Sequence, residues 1–257
     1  FSGFGNETPA PAGRFADVDQ WQFVLSPVIV HALSSRSRVE AGPVLKYAAD
    51  GLHGDHVLDR DRPLGAAGFG RLGLQGSIAV GGLDDLELDE SGFGIALGGS
   101  LFGPVWSADE PFGELHLEAV SRMPLRLGLV PVLALRVGGK RVWGAFPYDE
   151  AAFLGGQRSI RGYDYQRFAG EASLYGSAEL RVPLARVLEH SVPTRIGVFA
   201  LGDAGRVWAD GDRSRVVHAA AGGGLWLSFF EDRHTVSLAA ASGAEGTRWY
   251  VRSGLAF

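Results

Sequence analysis

Between residues 172 and 184 the chain alternates without a break. Leu174, Gly176, Ala178, Leu180, Val182 and Leu184 fall on one side, and Ser173, Tyr175, Ser177, Glu179 and Arg181 on the other. A β-strand sends successive side chains to opposite faces, so this segment has one apolar and one polar face. The pattern recurs. Val39, Ala41, Pro43, Leu45 and Tyr47 oppose Arg38, Glu40 and Lys46; Leu115, Leu117 and Ala119 oppose Glu114, His116 and Glu118. Leu127, Leu129, Pro131, Leu133, Leu135 and Val137 share a side, and at the end of the chain Trp249, Val251, Leu255 and Phe257 do the same. No helical period of 3.6 residues stands out.

Dividing the chain at clusters of Gly, Pro, Asp and Asn predicts eleven strands, over 20–33, 37–49, 66–80, 92–103, 112–123, 126–144, 171–187, 195–209, 216–230, 234–242 and 246–257. Residues 1–6 read as the tail of one more. Half-apolar strands suit either a soluble sandwich, with the apolar face inward, or a membrane barrel, with that face on lipid. Runs of 12 to 15 residues exceed the usual soluble strand and reach the roughly 9 to 11 residues that a tilted spanning strand needs. The prediction is therefore all-β: an antiparallel transmembrane β-barrel, with small inward residues such as Gly222 and Gly224 suited to a crowded lumen.

Connections alternate between short (34–37, 123–126, 231–233) and long (50–65, 103–111, 146–170), as expected for periplasmic turns and external loops; the link around 84–90 is long for a turn. In that orientation Trp21, Trp143, Trp208 and Trp249 lie at the external ends of their strands with lipid-facing parity, an interfacial girdle. The chain opens on Phe1 with no signal segment. It is expected to begin inside a larger barrel.

Composition narrows the chemistry. The 257 residues include 38 Gly and no Cys, which excludes a disulfide scaffold, thiolate zinc and a cysteine nucleophile. A net charge of -5 offers no footprint for nucleic acid. His53 and His56 read as a solvated turn and not as metal ligands, and 59–62 as a mixed-charge loop meeting water. No Gly-x-Ser-x-Gly elbow occurs, and no helix follows Gly222–Gly224 to make a phosphate loop. No catalytic group, metal site or cofactor is expected.

The 146–170 loop is different. Gly155 and Gly156 precede Arg161-Gly162-Tyr163, and Phe153, Leu154, Ile160, Tyr163 and Tyr165 make it too apolar for a solvated tail. Such a loop can fold into the lumen as a lid. Arg161 then requires partners, and Glu179 and Asp203 have inward parity on the following strands. A forked guanidinium suits carboxylates, and in a partly wet lumen the latch is worth roughly 1 to 3 kcal/mol.

Arg161-Gly162-Tyr163, Glu179 within 177–183, and Gly202-Asp203-Ala-Gly205-Arg-Val-Trp208 resemble the signature of the bacterial surface antigen superfamily, which includes assembly factors of the BamA and TamA type and two-partner secretion pores. Leu201 stands where relatives often have Phe. The resemblance implies that residues 1–257 are the C-terminal portion of a sixteen-stranded barrel of the bacterial outer membrane, without its first strands and any periplasmic or enzymatic domain. It implies Arg161 as the lid arginine, Asp203 as its partner with Glu179 beside them, and Trp249, Val251, Leu255 and Phe257 as a C-terminal insertion signal. It also implies a weak seam between the first and last strands. The implied work is helping polypeptides insert into or cross the outer membrane, with outer-membrane lipid, lipopolysaccharide, unfolded clients and periplasmic domains of the same chain as partners. The alternatives are a barrel that anchors or exports an attached hydrolase (a patatin-like lipase or phosphoesterase), and a passive pore.

Overall fold

A computed structural model describes residues 2–10, 18–50, 57–82, 90–187, 193–230 and 234–257. Twelve strands form one antiparallel sheet: β1 (Gln20–Leu25), β2 (Ile29–Ser34), β3 (Ser37–Asp50), β4 (Phe69–Gly81), β5 (Gly92–Phe102), β6 (Phe112–Pro124), β7 (Val132–Gly144), β10 (Ala172–Val187), β11 (Thr194–Trp208), β12 (His218–Phe229), β13 (His234–Gly243) and β14 (Gly246–Ser253). Each wall strand from β3 onward pairs with its neighbour in sequence, and β7 passes directly to β10. Two short strands in the intervening loop, β8 (Ala152–Leu154) and β9 (Phe168–Gly170), pair with each other apart from the wall. Among the described residues the outer edges of the sheet are β1 with β2 at one end and β14 at the other.

From β3 to β13 the strands keep the predicted parity. Leu72, Leu74, Leu115, Leu117, Leu174 and Leu180 are exposed on the outer face, whereas Arg136, Ser177, Glu179, Arg181 and Asp203 are buried on the inner face. Apolar exposure on this scale suits a wall facing acyl chains, not water. Trp21, Trp143, Trp208 and Trp249 are exposed on that outer face near the strand ends assigned to the exterior. A short helix, α1 (Val57–Asp61), replaces the solvated loop predicted over 59–62, because Val57 and Leu58 bury against the lid. His53, His56, residues 231–233 and all but Glu90 of the link predicted at 84–90 lie outside the described residues.

Four further expectations change. The first predicted strand is divided at Pro27, which has no N–H for the ladder; Leu25↔Leu45 and Ile29↔Ala41 keep one register on β3. The strand predicted over 126–144 begins at Val132. Residues 125–131 form a turn in which Leu125 N donates to Pro131 O at 2.7 Å and Val130 N to Leu127 O at 2.8 Å. Residues 2–10 lie outside the wall: Phe4 and Gly5 bridge Ala169 in the lid, and Asn6 is fully buried. The inward row beside β11 to β14 carries large apolar side chains and not only small ones, with Phe199, Leu201, Trp226 and Tyr250 forming one cluster.

The end of the chain also departs from its alternation. Trp249 and Val251 are both 71% exposed on the outer face, but Leu255 and Phe257 leave that row. At Gly254 the backbone enters the left-handed region (φ +92°), which glycine adopts without penalty, and the chain turns inward. Gly254 N donates to Thr235 O at 2.7 Å, and Ser237 Oγ donates to Gly254 O at 2.7 Å. Leu255 then packs on the Phe199–Trp226 cluster, and the Phe257 ring lies 5.0 Å from the Arg136 guanidinium and 5.5 Å from that of Arg181. Two cation–π faces and an apolar pocket outweigh continuation of the ladder.

Candidate functional site

The lid, residues 145–171, is a compact hairpin and not a structureless loop. Its base is the β8–β9 ladder, with a 3₁₀ turn (Tyr148–Glu150) before it. Two apolar clusters seat it inside the wall: Tyr148, Ala151 and Ala169 against Val57, Leu58 and Ala66, and Leu154, Ile160, Tyr163 and Phe168 against Val207 and Ala220. Leu154, Ile160, Tyr163 and Phe168 thus bury against β11 and β12, and Tyr148 against the connection between β3 and β4, which supplies the drive to fold inward.

Gly155 and Gly156 begin the tip. Gly155 and Ser159 bond reciprocally: the Gly155 amide donates to Ser159 Oγ at 2.8 Å, and that hydroxyl donates to Gly155 O at 3.2 Å. The turn delivers Arg161 to β10 and β11. There Glu179 and Asp203 meet on a diagonal, because Asp203 pairs with Ser177 and Glu179 with Leu201.

Arg161 sits between the two carboxylates. Its Nε and Nη2 donate to the two oxygens of Asp203, each at 2.7 Å, and its own backbone N donates to Asp203 Oδ2 at 2.9 Å. Nη1 donates to Glu179 Oε1. The side chains are 4% (Arg161), 1% (Glu179) and 0% (Asp203) exposed. The site is therefore dry, and each member, if left alone, becomes an uncompensated buried charge. Breaking such a pair costs more than the part-wet estimate, about 3 to 5 kcal/mol.

Gly162 follows with φ +90°, and a Cβ there would stand 2.8 Å from Gly243 N and 3.1 Å from the Ala220 Cβ. This lets the lid backbone lie against β12 and β13 while Gly162 N donates to Tyr250 Oη on β14 at 2.8 Å. Tyr163 spans the same region, donating to Ala219 O and accepting from Ala244 N, both at 3.3 Å. Gly205, beside Asp203 on β11, leaves space for the lid: a Cβ would lie 3.1 Å from Ile160 Cδ1 and 2.6 Å from Leu174 O.

The structure thus brings together Gly155, Gly156, Arg161, Gly162, Tyr163, Glu179, Asp203 and Gly205. Trp249 and Val251 stay on the outer face, away from them, whereas Leu255 and Phe257 turn into the lumen. Arg181 was legible as a polar-face residue of β10 but had no predicted partner; it donates from Nε and Nη2 to Glu179 Oε2 at 2.9 and 2.8 Å. Further lid contacts had no sequence signal. Arg167 pairs with Glu245 at 2.8 Å and donates to Thr8 O at 2.6 Å, and Arg248 on β14 donates to both oxygens of Asp164 at 2.8 and 2.9 Å. The Arg248 bonds hold the Asp164 carboxyl below its ordinary range.

Asn6 is bound at the connection between β11 and β12. Its Nδ2 donates to Ser214 Oγ and Val216 O at 3.0 and 2.8 Å, its Oδ1 accepts from Val207 N at 3.0 Å, and its O accepts from His218 Nε2 at 2.7 Å. Among the described residues no group of three or more His, Cys, Asp or Glu is placed to hold a metal ion.

This geometry is a mechanical assembly: a buried hairpin held in an antiparallel wall by charge pairs and backbone bonds. Comparison with known proteins places it. Residues 65–228 match the Omp85 superfamily domain, and no curated protein matches the chain. In fold the chain is similar to BamA from Haemophilus ducreyi, in a crystal structure lacking POTRA domains 1–3, with a TM-score of 0.66 at 15% identity. The similarity covers 92% of this chain and 55% of that one, so the chain spans about half the length of that protein. At such identity the likeness is one of fold, and the family rests on the domain match, which covers more than half of the chain. The resemblance carried by Arg161-Gly162-Tyr163 agrees with it: the chain belongs to the Omp85 superfamily.

Proposed function

We propose that these residues are the C-terminal barrel portion of a longer outer-membrane protein that helps polypeptides insert into, or cross, the bacterial outer membrane. The observation that carries this reading is the buried Arg161 fork on Asp203 and Glu179, inside a wall whose apolar face is outward, in a chain of this superfamily. The work is physical and not catalytic. The latched lid holds the interior and ties β10 and β11 to β14 through Gly162, Tyr250, Asp164 and Arg248. An edge strand whose end turns inward at Gly254 forms fewer ladder bonds, which suits a seam that opens. The partners of this activity are unfolded client chains, outer-membrane lipid with lipopolysaccharide, and periplasmic domains of the same protein.

The test is reconstitution of the full-length protein into proteoliposomes, with an unfolded outer-membrane barrel as client and heat-modifiable migration as the readout of its insertion. Faster client folding than in empty liposomes, slowed by Arg161→Ala, is the expected result. Equal folding in both liposomes, or steady ion conductance that Arg161→Ala leaves unchanged, contradicts the reading.

A further inference from the structure

Lys46 on β3 and Arg71 on β4 stand directly opposite each other in the ladder, both pointing into the barrel. Like charges facing across a strand pair repel, so this arrangement needs an anion between them. The lid provides it at a point remote from Arg161. Glu150 Oε1 accepts from Lys46 Nζ at 2.7 Å and from Arg71 Nε at 2.9 Å, and Lys140 on β7 approaches Oε2 at 3.5 Å. Arg71 Nη2 donates to the adjacent Asp149 at 2.6 Å. The side chains of Arg71, Asp149 and Glu150 are each no more than 5% exposed. The backbone of this limb is fixed as well: Tyr148 N donates to Leu64 O at 2.9 Å, and Gln20 Nε2 donates to Tyr148 Oη at 2.9 Å.

We infer that Glu150 is a positioning residue, a second anchor whose charge sense is the reverse of the first. At the tip, one lid cation meets two acids of β10 and β11. At the entry limb, lid acids meet three cations of β3, β4 and β7. The lid is thereby a strut across the interior, joining the early strands of the wall to the late ones. When Arg161 releases, the tip swings on an entry limb that stays in place. The inference deepens the proposed function and rests on the lid being a working part, but the entry anchor stands or falls separately from the Arg161 latch.

The experiment is amide hydrogen exchange on the full-length protein in lipid, comparing residues 146–154 with 155–167 in the parent, Glu150→Gln, Arg161→Ala and the double variant. Glu150→Gln is expected to raise exchange in 146–154 by about tenfold or more while the tip changes less; Arg161→Ala is expected to do the opposite. The conservative Glu150→Asp retains most protection. Lys46→Met added to Glu150→Gln relieves the uncompensated cations, so it restores heat stability while 146–154 stays fast. If Glu150→Gln leaves 146–154 as in the parent, in both backgrounds, the anchor is refuted whatever Arg161→Ala does. If Lys46→Met restores stability and protection together, Glu150 only balances charge and the positioning role is refuted. An unchanged tip in Arg161→Ala with a fast entry limb in Glu150→Gln removes the latch and leaves the anchor. Should Glu150→Gln alone fail to fold, the comparison of Glu150→Asp with the Lys46→Met double variant decides the matter.

Discussion

Arg181 donates through Nε and Nη2 to one oxygen of Glu179, while the other oxygen of that carboxylate takes Arg161. Arg181 Nη2 also donates to Phe257 O, and its guanidinium lies over the Phe257 ring. One acid on β10 therefore serves both the lid and the inturned end of the chain, giving a continuous line from Asp203 through Arg161, Glu179 and Arg181 to Phe257. Polar contacts linked in this way are high-stakes: removing one member leaves its neighbours buried and unpaired.

Arg161→Ala is expected to lower barrel stability by about 3 to 5 kcal/mol, since Asp203 and Glu179 lose their shared cation in a dry site. Arg161→Lys keeps the charge but not the fork and falls between the two. The temperature at which heat-modifiable migration is lost, followed on gels across the three proteins, checks the order. Equal temperatures for Arg161→Ala and the parent contradict it.

Arg181→Leu separates the two ends of that line. The Arg181 contacts to Phe257 are lost and only the Arg136 guanidinium still faces its ring, while Arg161 keeps both bonds to Asp203. A nitroxide at Ala256 is expected to become mobile in Arg181→Leu with the lid still protected. Immobile label in the variant means that Leu255 packing and the Arg136 face, not Arg181, hold the tail.

Gly162→Ala places a methyl in a left-handed backbone that lies against Gly243. A cost of about 1 to 3 kcal/mol is expected, from strain and lost approach together. Gly202→Ala on β11 has no heavy atom within 4 Å of its added Cβ and is the matched comparison. Chemical denaturation of the two in detergent checks the difference, and equal midpoints contradict it.

Acid acts on the entry limb with a definite sign. Burial raises the Glu150 carboxyl, but Lys46, Arg71 and Lys140 outweigh it and hold it at about 2, against 4.5 ordinarily. A depressed carboxyl stabilises the fold above its unfolded value, and that contribution, of the order of 3 kcal/mol, is lost as pH falls from about 4.5 to about 2. Asp149 moves the other way: burial pushes it up despite Arg71, so its protonation on acidification favours the folded state and softens the upper part of that window. Exchange in residues 146–154 should therefore rise as pH falls through that range, after correction for the intrinsic rate. A rise centred above pH 5 contradicts this account.

The wall was legible because strand parity is a local property. Leu174 to Leu184, or Leu115 to Ala119, announce an outer face without knowledge of any partner. The latch was legible for a related reason, since an arginine in an apolar loop requires acids, and Glu179 and Asp203 have the correct parity on the next two strands. The entry anchor was not legible. Lys46, Arg71 and Lys140 come from three strands, and their convergence on Glu150 depends on register and on the path of the lid. The inward turn at Gly254 was hidden by its own pattern: Leu255 and Phe257 continue the parity of Trp249 and Val251, yet a left-handed glycine reverses the face. Asn6 had no signal at all, because its partners lie some two hundred residues away in sequence.

Brominated acyl chains quench tryptophans that touch lipid, and the chain holds native probes on both faces. Single-tryptophan variants of the reconstituted full-length protein, keeping Trp249, Trp208 or Trp226, read the arrangement directly. Strong quenching of Trp249 and Trp208 with none of Trp226 is the predicted result. Quenching of Trp226 with protection of Trp249 and Trp208 contradicts an outward apolar wall around a packed, latched interior.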